Sequence, residues 1–540
     1  MTEQRTTGEA IVDALLAHDV DTVFGIPGVQ TYPLYDALAR TPQIKVYGPR
    51  HEQTAAYMAF GYAQSTGRPG VFSVVPGPGV LNASAAVLSA YGASAPLVGL
   101  TSEIPSAFMG RGLGHLHEMP DQLATIRTFT KWASNIAHPS DTSAVISEAF
   151  HQATSGRPRP TMVAAPWDVL AHRAPAVPCV PHPRVATPVD PARVDRAVAR
   201  LTGAKNPMIM VGGGARHASA EVQALAEFLQ APVVSFRGGR GVVSDEHTLG
   251  FTCAEGFERW GECAALIGIG CRLELMWSRW PDRPKDLPII LLDSDPQQFV
   301  RLEATVGILG DAADTASTLL AALQAAASPR MSRTAEFAQL KVAKQTELLQ
   351  LQPHLDYLHA LRRALPRDGY LVEEICQVGF ASYFGFPVYE PRTFVTCGHQ
   401  GTLGFGYPTS LGVKAAHPEK AVVSINGDGG FMFGIQELAT AVEYNLGVVA
   451  VVFNNHSYGN VFNDQQRLFG RPYGSTLKNP SFVDIARAFG ANGVHVDNPA
   501  DLEREVADAI NANTPSVIEV AMPLDAAASP WRFLMPASRR

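Results

Sequence analysis

The stretch that most constrains this chain is residues 422–458, VVSINGDGGFMFGIQELATAVEYNLGVVAVVFNNHSY. It opens with an apolar run at 422–425, breaks at Asn426-Gly427-Asp428-Gly429-Gly430, and continues at helical spacing through Ile435, Leu438, Ala439 and Val442. A second apolar run at 448–453 then ends on Asn454-Asn455. The pattern predicts strand, helix and strand, with polar groups at both strand ends. In a parallel sheet the carboxyl ends of two strands share one edge, so Asp428 and Asn455 converge although 24 residues lie between Gly429 and Asn454. Gly429 and Gly430 let the backbone approach a phosphate, and the following helix directs its first amides at the same anion. One carboxylate, Asp428, and one amide oxygen, Asn455, leave the other positions on a cation to phosphate and water, which suits magnesium rather than zinc.

The rest of the chain supplies a large frame for this unit. Its 540 residues suffice for about three domains, and 46% hydrophobic with 17% charged residues is the composition of a globular enzyme. A net charge of −7 gives no reason to expect nucleic acid or an anionic membrane as partner. The first residues carry no signal-like apolar run, and no apolar segment reaches membrane-spanning length. Six cysteines form neither a CxxC pair nor a ligand-like cluster, so free thiols in a reducing cytoplasm are expected.

From the start, helical spacing at 8–19 leads to short strands at 22–24, 44–47 and 70–75, each followed by a helix. That alternation predicts a doubly wound α/β domain. Polar and glycine residues sit just after the strand ends: Gly25-Ile26-Pro27-Gly28, then His51-Glu52-Gln53, then Pro76-Gly77-Pro78-Gly79 with Asn82. Residues 109–121 are rich in glycine, contain His115 and His117, and read as a loop on a rigid frame.

The Gly-Asp-Gly followed by Asn-Asn resembles the thiamine diphosphate motif, and the order of the N-terminal segments resembles the acetolactate synthase group of thiamine enzymes. The resemblance spans almost the whole chain. It implies three doubly wound parallel-sheet α/β domains: a pyrimidine-binding domain at 1–170, a linker at 171–194, a central Rossmann-like domain at 195–324, a linker and helix at 325–350, and a diphosphate-binding domain at 351–540. On it, Glu52 is the carboxylate that drives the coenzyme's aminopyrimidine to its imino form, with Pro76 and Asn82 nearby. Such chemistry needs an acid, because the thiazolium C2 proton does not leave unaided.

The equivalent loop in that group presents a phenylalanine and a glutamine to the substrate, so His115 and His117 are candidates for proton transfer or for holding a substrate carboxylate. Segment 377–379, with Val378 and Gly379, matches one that touches the diphosphate, but Phe380-Ala381 stands where many acetolactate synthases have Gln-His. Gly401 would offer its carbonyl to the coenzyme amino group, and Leu403 takes the place of the bulky residue, usually Met, that forces the coenzyme to bend. His399 and Gln400 would face the reacting carbon. Asp428, Asn455 and the Ser457 carbonyl would hold Mg2+, while Gly429, Gly430 and Tyr458 line the coenzyme.

The proline-rich residues 171–194 predict an extended linker. Beyond it, strands at 207–211, 265–270 and 287–292 and the turn Gly212-Gly213-Gly214 make a second α/β domain. No ribose-binding acid follows the strand at 232–236, which disfavours a nicotinamide dinucleotide. In the resembling group this domain holds flavin adenine dinucleotide or nothing; Arg272 matches one of its arginines, whereas 252–261 does not resemble the flavin-contacting loop. A helix ending near Cys376 and an apolar tail at 526–540 folding over the site complete the expectations. The implied enzyme is a homodimer or homotetramer in which Glu52 of one subunit meets the metal motif of another. It decarboxylates a 2-oxo acid to an enamine that adds to a second carbonyl, or takes a proton as in a simple decarboxylase; cleavage of a carbon–carbon bond uses the same intermediate. A non-catalytic scaffold and a nicotinamide dehydrogenase are disfavoured, since Glu52, Asp428 and Asn455 are all present and the ribose acid is not.

Overall fold

Continuous apolar runs are the mark of strands buried on both faces, and the computed structural model arranges them as three six-stranded parallel sheets with helices on their faces. It describes residues 4–183, 185–524 and 529–539; residues 1–3 of the expected N-terminal domain, 184 of the linker, and 525–528 and 540 at the tail lie outside them. The first sheet runs, in spatial order, Lys45–Tyr47, Thr22–Gly25, Gly70–Ser73, Leu97–Glu103, Thr161–Pro166 and Trp132–Asn135. The third runs Phe394–Val395, Tyr370–Val372, Val422–Gly427, Val448–Asn454, Ser516–Ala521 and Asn492–Val496. Both therefore follow the spatial order second, first, third, fourth, sixth, fifth, and share one topology.

The middle sheet differs. Its order is Gly250–Thr252, Val233–Ser235, Pro207–Val211, Ala265–Ile269, Ile289–Asp293 and Val306–Leu309, the order of a dinucleotide-binding fold. The glycine turn after Pro207–Val211 opens on a cavity of about 1310 Å³ shared by all three sheets, lined among others by Arg157, Arg216, Arg237, Arg272 and Arg392.

Close packing locks the first and third domains together. Helix Glu52–Thr66 lies against helix Gly406–Ala416. Their backbones approach so closely that a Cβ on Gly61 would sit 2.1 Å from the Thr409 carbonyl oxygen, and one on Gly412 would sit 2.0 Å from that of Met58. Only small residues allow this, which explains why both helices are rich in glycine and alanine. One apolar core joins the central and C-terminal sheets and a second joins the C-terminal and N-terminal ones, so the C-terminal domain anchors both neighbours.

Two local expectations fail. The proline-rich linker is extended where Arg173–Pro175 pairs antiparallel with Gln4–Thr6, but it is not so to its end, because helix Pro191–Thr202 begins inside the segment. A two-stranded edge tolerates proline, and Pro191 takes the first helical position behind Asp190, whose side chain accepts from the Ala192 amide. Cys376 does not end a helix but starts one. It caps Gln377–Gly385, its Sγ accepting from the Gly379 amide at 3.3 Å, because a helix–strand boundary in an apolar stretch has no period to mark it.

Candidate active site

The strand pair Val422–Gly427 and Val448–Asn454 is in parallel register from Val422 opposite Val448 to Gly427 opposite Phe453. Asp428 and Asn455 consequently leave the sheet at the same edge. Asp428 is 2% exposed, and its Oδ2 accepts from the Ser457 amide at 3.1 Å and from Asn479 Nδ2 at 2.7 Å. Asn455 Oδ1 accepts from the same Ser457 amide at 3.2 Å and from Ser457 Oγ at 3.0 Å. One N–H thus holds both oxygens. His456, at φ +55, supplies the left-handed turn that swings Ser457 back toward them. Asn454 is engaged differently, with its Nδ2 bonded to Glu519 and its Oδ1 accepting from the His456 amide and Asn479.

This donor set is hard and oxygen-only, with a single carboxylate, and among the described residues no group of three or more His, Cys, Asp or Glu could hold a metal. A magnesium ion carrying phosphate oxygens and water fits it; a zinc ion does not. Burial pushes the Asp428 carboxyl up from its ordinary range, against the hydrogen bonds from Asn479 and the backbone amides, so a cation beside it would offset the cost of its charge. The start of helix Gln377–Gly385 adjoins the turn: a Cβ on Gly427 would lie 3.0 Å from Cys376 Cβ. The helix start that bears Val378 and Gly379 thus lies beside the turn that leads to Gly429 and Gly430. Gly430 has no room for a side chain, since a Cβ there would meet Glu374 Oε1 at 2.2 Å, and Gly429 packs against the Tyr458 ring.

On the first sheet, His51 caps helix Glu52–Thr66 through Nδ1 and leaves Glu52 half-buried in the first turn. Asn82 Nδ2 donates to Glu52 Oε2 at 2.9 Å, bringing together two residues singled out separately in the sequence. The turn after Pro76 is held by Gln122, whose Oε1 accepts from the Gly77 amide at 2.7 Å and whose Nε2 donates to the Ser102 carbonyl. The histidine loop lies on this turn. A Cβ on Gly77 would come within 2.5 Å of the His117 carbonyl oxygen, and Gln30 donates to Leu116. Glu118 ties the loop by accepting from the His115 and Gly112 amides, which hold its carboxyl below the usual range. In both His115 and His117 the Nδ1 is buried with no partner among the described residues.

The loop 398–406 spans two neighbours. Thr402 Oγ1 bonds Ser89 at 2.9 Å, and His399 and Gln400 lie over Gly92 of helix Pro78–Ala93. Gly92 is ten residues from Asn82 along that helix, about 15 Å. His399 is bonded to the central domain, its Nδ1 2.6 Å from Arg272 Nη1. Because a guanidinium only donates, Nδ1 is the acceptor and the ring is neutral. Partial burial, then Arg272, Arg237 and Arg157, lower its pKa to about 4. Gly401, at φ +60, and Leu403 complete the loop.

The tail is described from Ser529 on. Trp531 Nε1 donates to Asn460 at 2.6 Å, its ring packs 5.0 Å from Phe380, and Phe533 lies 5.4 Å from Phe384. Phe380 therefore serves to dock the tail, clamping helix Gln377–Gly385 to helix Gly459–Phe469. Asn479 escaped the sequence reading, although Asn479-Pro480 directly precedes a helix start. Asn479→Ala is expected to raise the magnesium needed for half-maximal coenzyme binding about 10-fold, measured by calorimetry at fixed coenzyme.

Comparison with known proteins shows the family. Residues 5–125, 194–319 and 375–520 match, respectively, the N-terminal TPP binding, central and C-terminal TPP binding domains of thiamine pyrophosphate enzymes. The chain is 33% identical to the probable 2-ketoarginine decarboxylase AruI of Pseudomonas aeruginosa over 528 residues, 95% of this chain and 94% of that protein. It is 30% identical to the probable acetolactate synthase large subunit of Methanocaldococcus jannaschii over 551 residues, 95% and 91% of the two. Identity to the acetolactate synthase isozyme 3 large subunit of Escherichia coli is also 30%, over 536 residues, 94% and 92%. Three matched domains in order, with relatives aligned over nearly their full lengths, make this chain a thiamine pyrophosphate (thiamine diphosphate)-dependent enzyme of the group that includes acetolactate synthases and 2-oxo acid decarboxylases.

Proposed function

We propose that the chain, with thiamine diphosphate and Mg2+, decarboxylates a 2-oxo acid and that the product carbon then takes a proton, releasing an aldehyde. The observation that carries the second half is the histidine loop, whose His117 backbone lies against Gly77 and whose two imidazoles have buried Nδ1 atoms with no partner among the described residues. Addition to a second carbonyl is the other reading, supported by relatives named acetolactate synthase.

Thiamine diphosphate, when bound, supplies a carbon nucleophile and an electron sink for loss of carbon dioxide. Asp428, Asn455 and the Ser457 carbonyl would hold the magnesium, and the amides around Val378, Gly379, Gly429 and Gly430 the diphosphate. Glu52, oriented by Asn82, would hold the proton at the aminopyrimidine through its remaining oxygen, beside Pro76. Gly401, Leu403 and Tyr458 would border the rings. His115 and His117 would deliver the final proton, and Leu116 between them would help exclude water.

Because no hydrogen bond among the described residues joins Glu52 to Asp428, Asn455 or Ser457, and Leu81, Asn82 and Leu88 leave one face of helix Pro78–Ala93 exposed, we assign the two halves of a site to different copies in a homodimer or dimer of dimers. The domain limits 1–170, 195–324 and 351–540, and a cytoplasmic location, complete this reading. All six cysteines are free, and among the described residues no helix is long and apolar enough to cross a membrane.

The test is a panel of 2-oxo acids, alone and with aldehyde acceptors, scored for carbon dioxide, aldehyde and coupled product. The reading predicts aldehyde as the main product. It also predicts that the double replacement His115→Ala/His117→Ala lowers aldehyde release about 100-fold. Coupled product equal to carbon dioxide, unaffected by that replacement, would favour ligation.

A further inference from the structure

Two fully buried polar side chains beneath the site have no part in the proposed function. Glu374 follows strand Tyr370–Val372, and Asn426 lies on Val422–Gly427; both are 0% exposed. Glu374 Oε1 accepts from the Gly404 amide at 2.5 Å, whereas Oε2 has no hydrogen-bond partner among the described residues. Asn426 Nδ2 donates to the Ser424 carbonyl at 3.1 Å, to Ser424 Oγ at 2.9 Å and to the Val451 carbonyl at 3.3 Å. Two carbonyl oxygens around Nδ2 fix the amide orientation, because an oxygen there would face both of these acceptors with only the Ser424 hydroxyl able to donate. Asn426 Oδ1 is thereby the atom turned away, and it too is buried without a partner among the described residues.

The two orphan acceptors are neighbours. A Cβ on Gly406 would lie 2.7 Å from Asn426 Oδ1 and 3.0 Å from Glu374 Oε2, so both oxygens border the same small space. Leaving both without a donor costs the desolvation of each, and one proton between them removes both deficits. We infer that Glu374 is a neutral carboxylic acid whose Oε2–H donates to Asn426 Oδ1, stapling the loop 398–406 to the strand that carries Asp428.

The surroundings agree. Glu373 is the nearest carboxyl, buried and bonded through Oε1 to Tyr383 and, at 2.8 Å, to Thr396; the thiols of Cys376 and Cys397 are the other titratable neighbours, and Arg237 acts on Glu373 rather than Glu374. Among the described residues no cation forms an ion pair with Glu374. Burial pushes its pKa up to about 8, Glu373 adding to the rise and the Gly404, Gly406 and Phe405 amides opposing it. Glu374 is a positioning residue: through Gly404 it sets where Gly401 and Leu403 stand over the Asp428 edge. Only this last consequence rests on the thiamine diphosphate reading.

Thermal melting of the full chain without coenzyme, from pH 5 to pH 8, tests the staple for wild type, Glu374→Gln and Glu374→Ala. The glutamine amide can donate to Asn426 while its oxygen keeps the Gly404 bond. An acid whose folded pKa exceeds its ordinary 4.5 gives stability that is complete below 4.5 and lost as pH rises toward about 8. Glu374→Gln should therefore match wild type at pH 5 and melt about 5 °C above it at pH 8, while Glu374→Ala melts lower throughout. A Glu374→Gln gap that is the same at every pH would overturn the protonated pair, as would a Glu374→Ala variant as stable as Glu374→Gln.

Calorimetric affinity for thiamine diphosphate at pH 7 tests the link to the loop. It should be retained within about 3-fold in Glu374→Gln and lost at least about 10-fold in Glu374→Ala. Equal affinity in both variants would overturn that link. Should wild type bind no thiamine diphosphate, the functional proposal falls, and the melting series still decides the pair.

Discussion

Glu52→Gln is expected to lower kcat about 1000-fold while thiamine diphosphate and magnesium still bind. The substitution is nearly isosteric and leaves an oxygen to accept from Asn82 Nδ2, which reaches Glu52 Oε2 at 2.9 Å. What it removes is a carboxylate able to hold and return a proton. Helix packing should not change, because the buried residues of Glu52–Thr66 begin at Thr54, after Glu52, and the helix rests on Gly406–Ala416. Carbon dioxide release gives the rate, calorimetry the binding, and exchange of the coenzyme C2 proton into deuterated water the step affected. Normal exchange in the variant would remove Glu52 from the proposed role.

The second large effect is loss of coenzyme affinity, at least about 100-fold, in Asp428→Ala. Asp428 is the one acid in the oxygen group, and its replacement also leaves Asn479 Nδ2 with Asn454 alone and removes half of what the Ser457 amide holds. Removing divalent cations with a chelator from the wild type should produce the same loss, and adding magnesium back should reverse it. Asp428→Asn should fall between, since it keeps an oxygen but no charge. Coenzyme binding by Asp428→Ala that still responds to magnesium would place the cation elsewhere.

The sequence exposes those parts of the site that depend on strand ends. Asp428 and Asn455 meet because two apolar runs of fixed period set the register, and a six-pair parallel ladder carries them to one edge. Glu52 and Asn82 are each visible behind a strand, though the hydrogen bond between them crosses two helices and leaves no mark in sequence. The bond between Arg272 and His399 bridges 127 positions and two domains, beyond the reach of any local pattern. Residues 435–443 read as one helix from their spacing but divide into a turn of 3-10 helix at Ile435–Glu437 and a short α-helix at Leu438–Glu443. Glu437 is there drawn inward to accept from the Arg50 amide and from Thr440. Tertiary bonds of this kind override helical spacing. Glu373 and Glu374 follow an apolar strand as two adjacent acids, a signal of buried carboxyls that hydrophobic periodicity alone does not weigh.

The middle sheet shows the converse. Its glycine turn suggests a dinucleotide site, and the strand order is that of such folds, yet the glycines are needed for packing. A Cβ on Gly212 would lie 2.5 Å from the Gly270 carbonyl oxygen, and one on Gly214 would lie 2.9 Å from Gly270 Cα. Arg272, beside them, is engaged with His399 and lies 3.8 Å from Glu274. Tight turns can thus arise from backbone approach within the protein as well as toward a ligand.

A crystal structure of the enzyme with thiamine diphosphate and Mg2+ tests most directly whether one coenzyme is gripped by both halves. The account predicts Mg2+ on Asp428, Asn455 and the Ser457 carbonyl, and Glu52 of a neighbouring copy within hydrogen-bond distance of the aminopyrimidine ring. A coenzyme seated on the metal turn with every Glu52 facing solvent would contradict it.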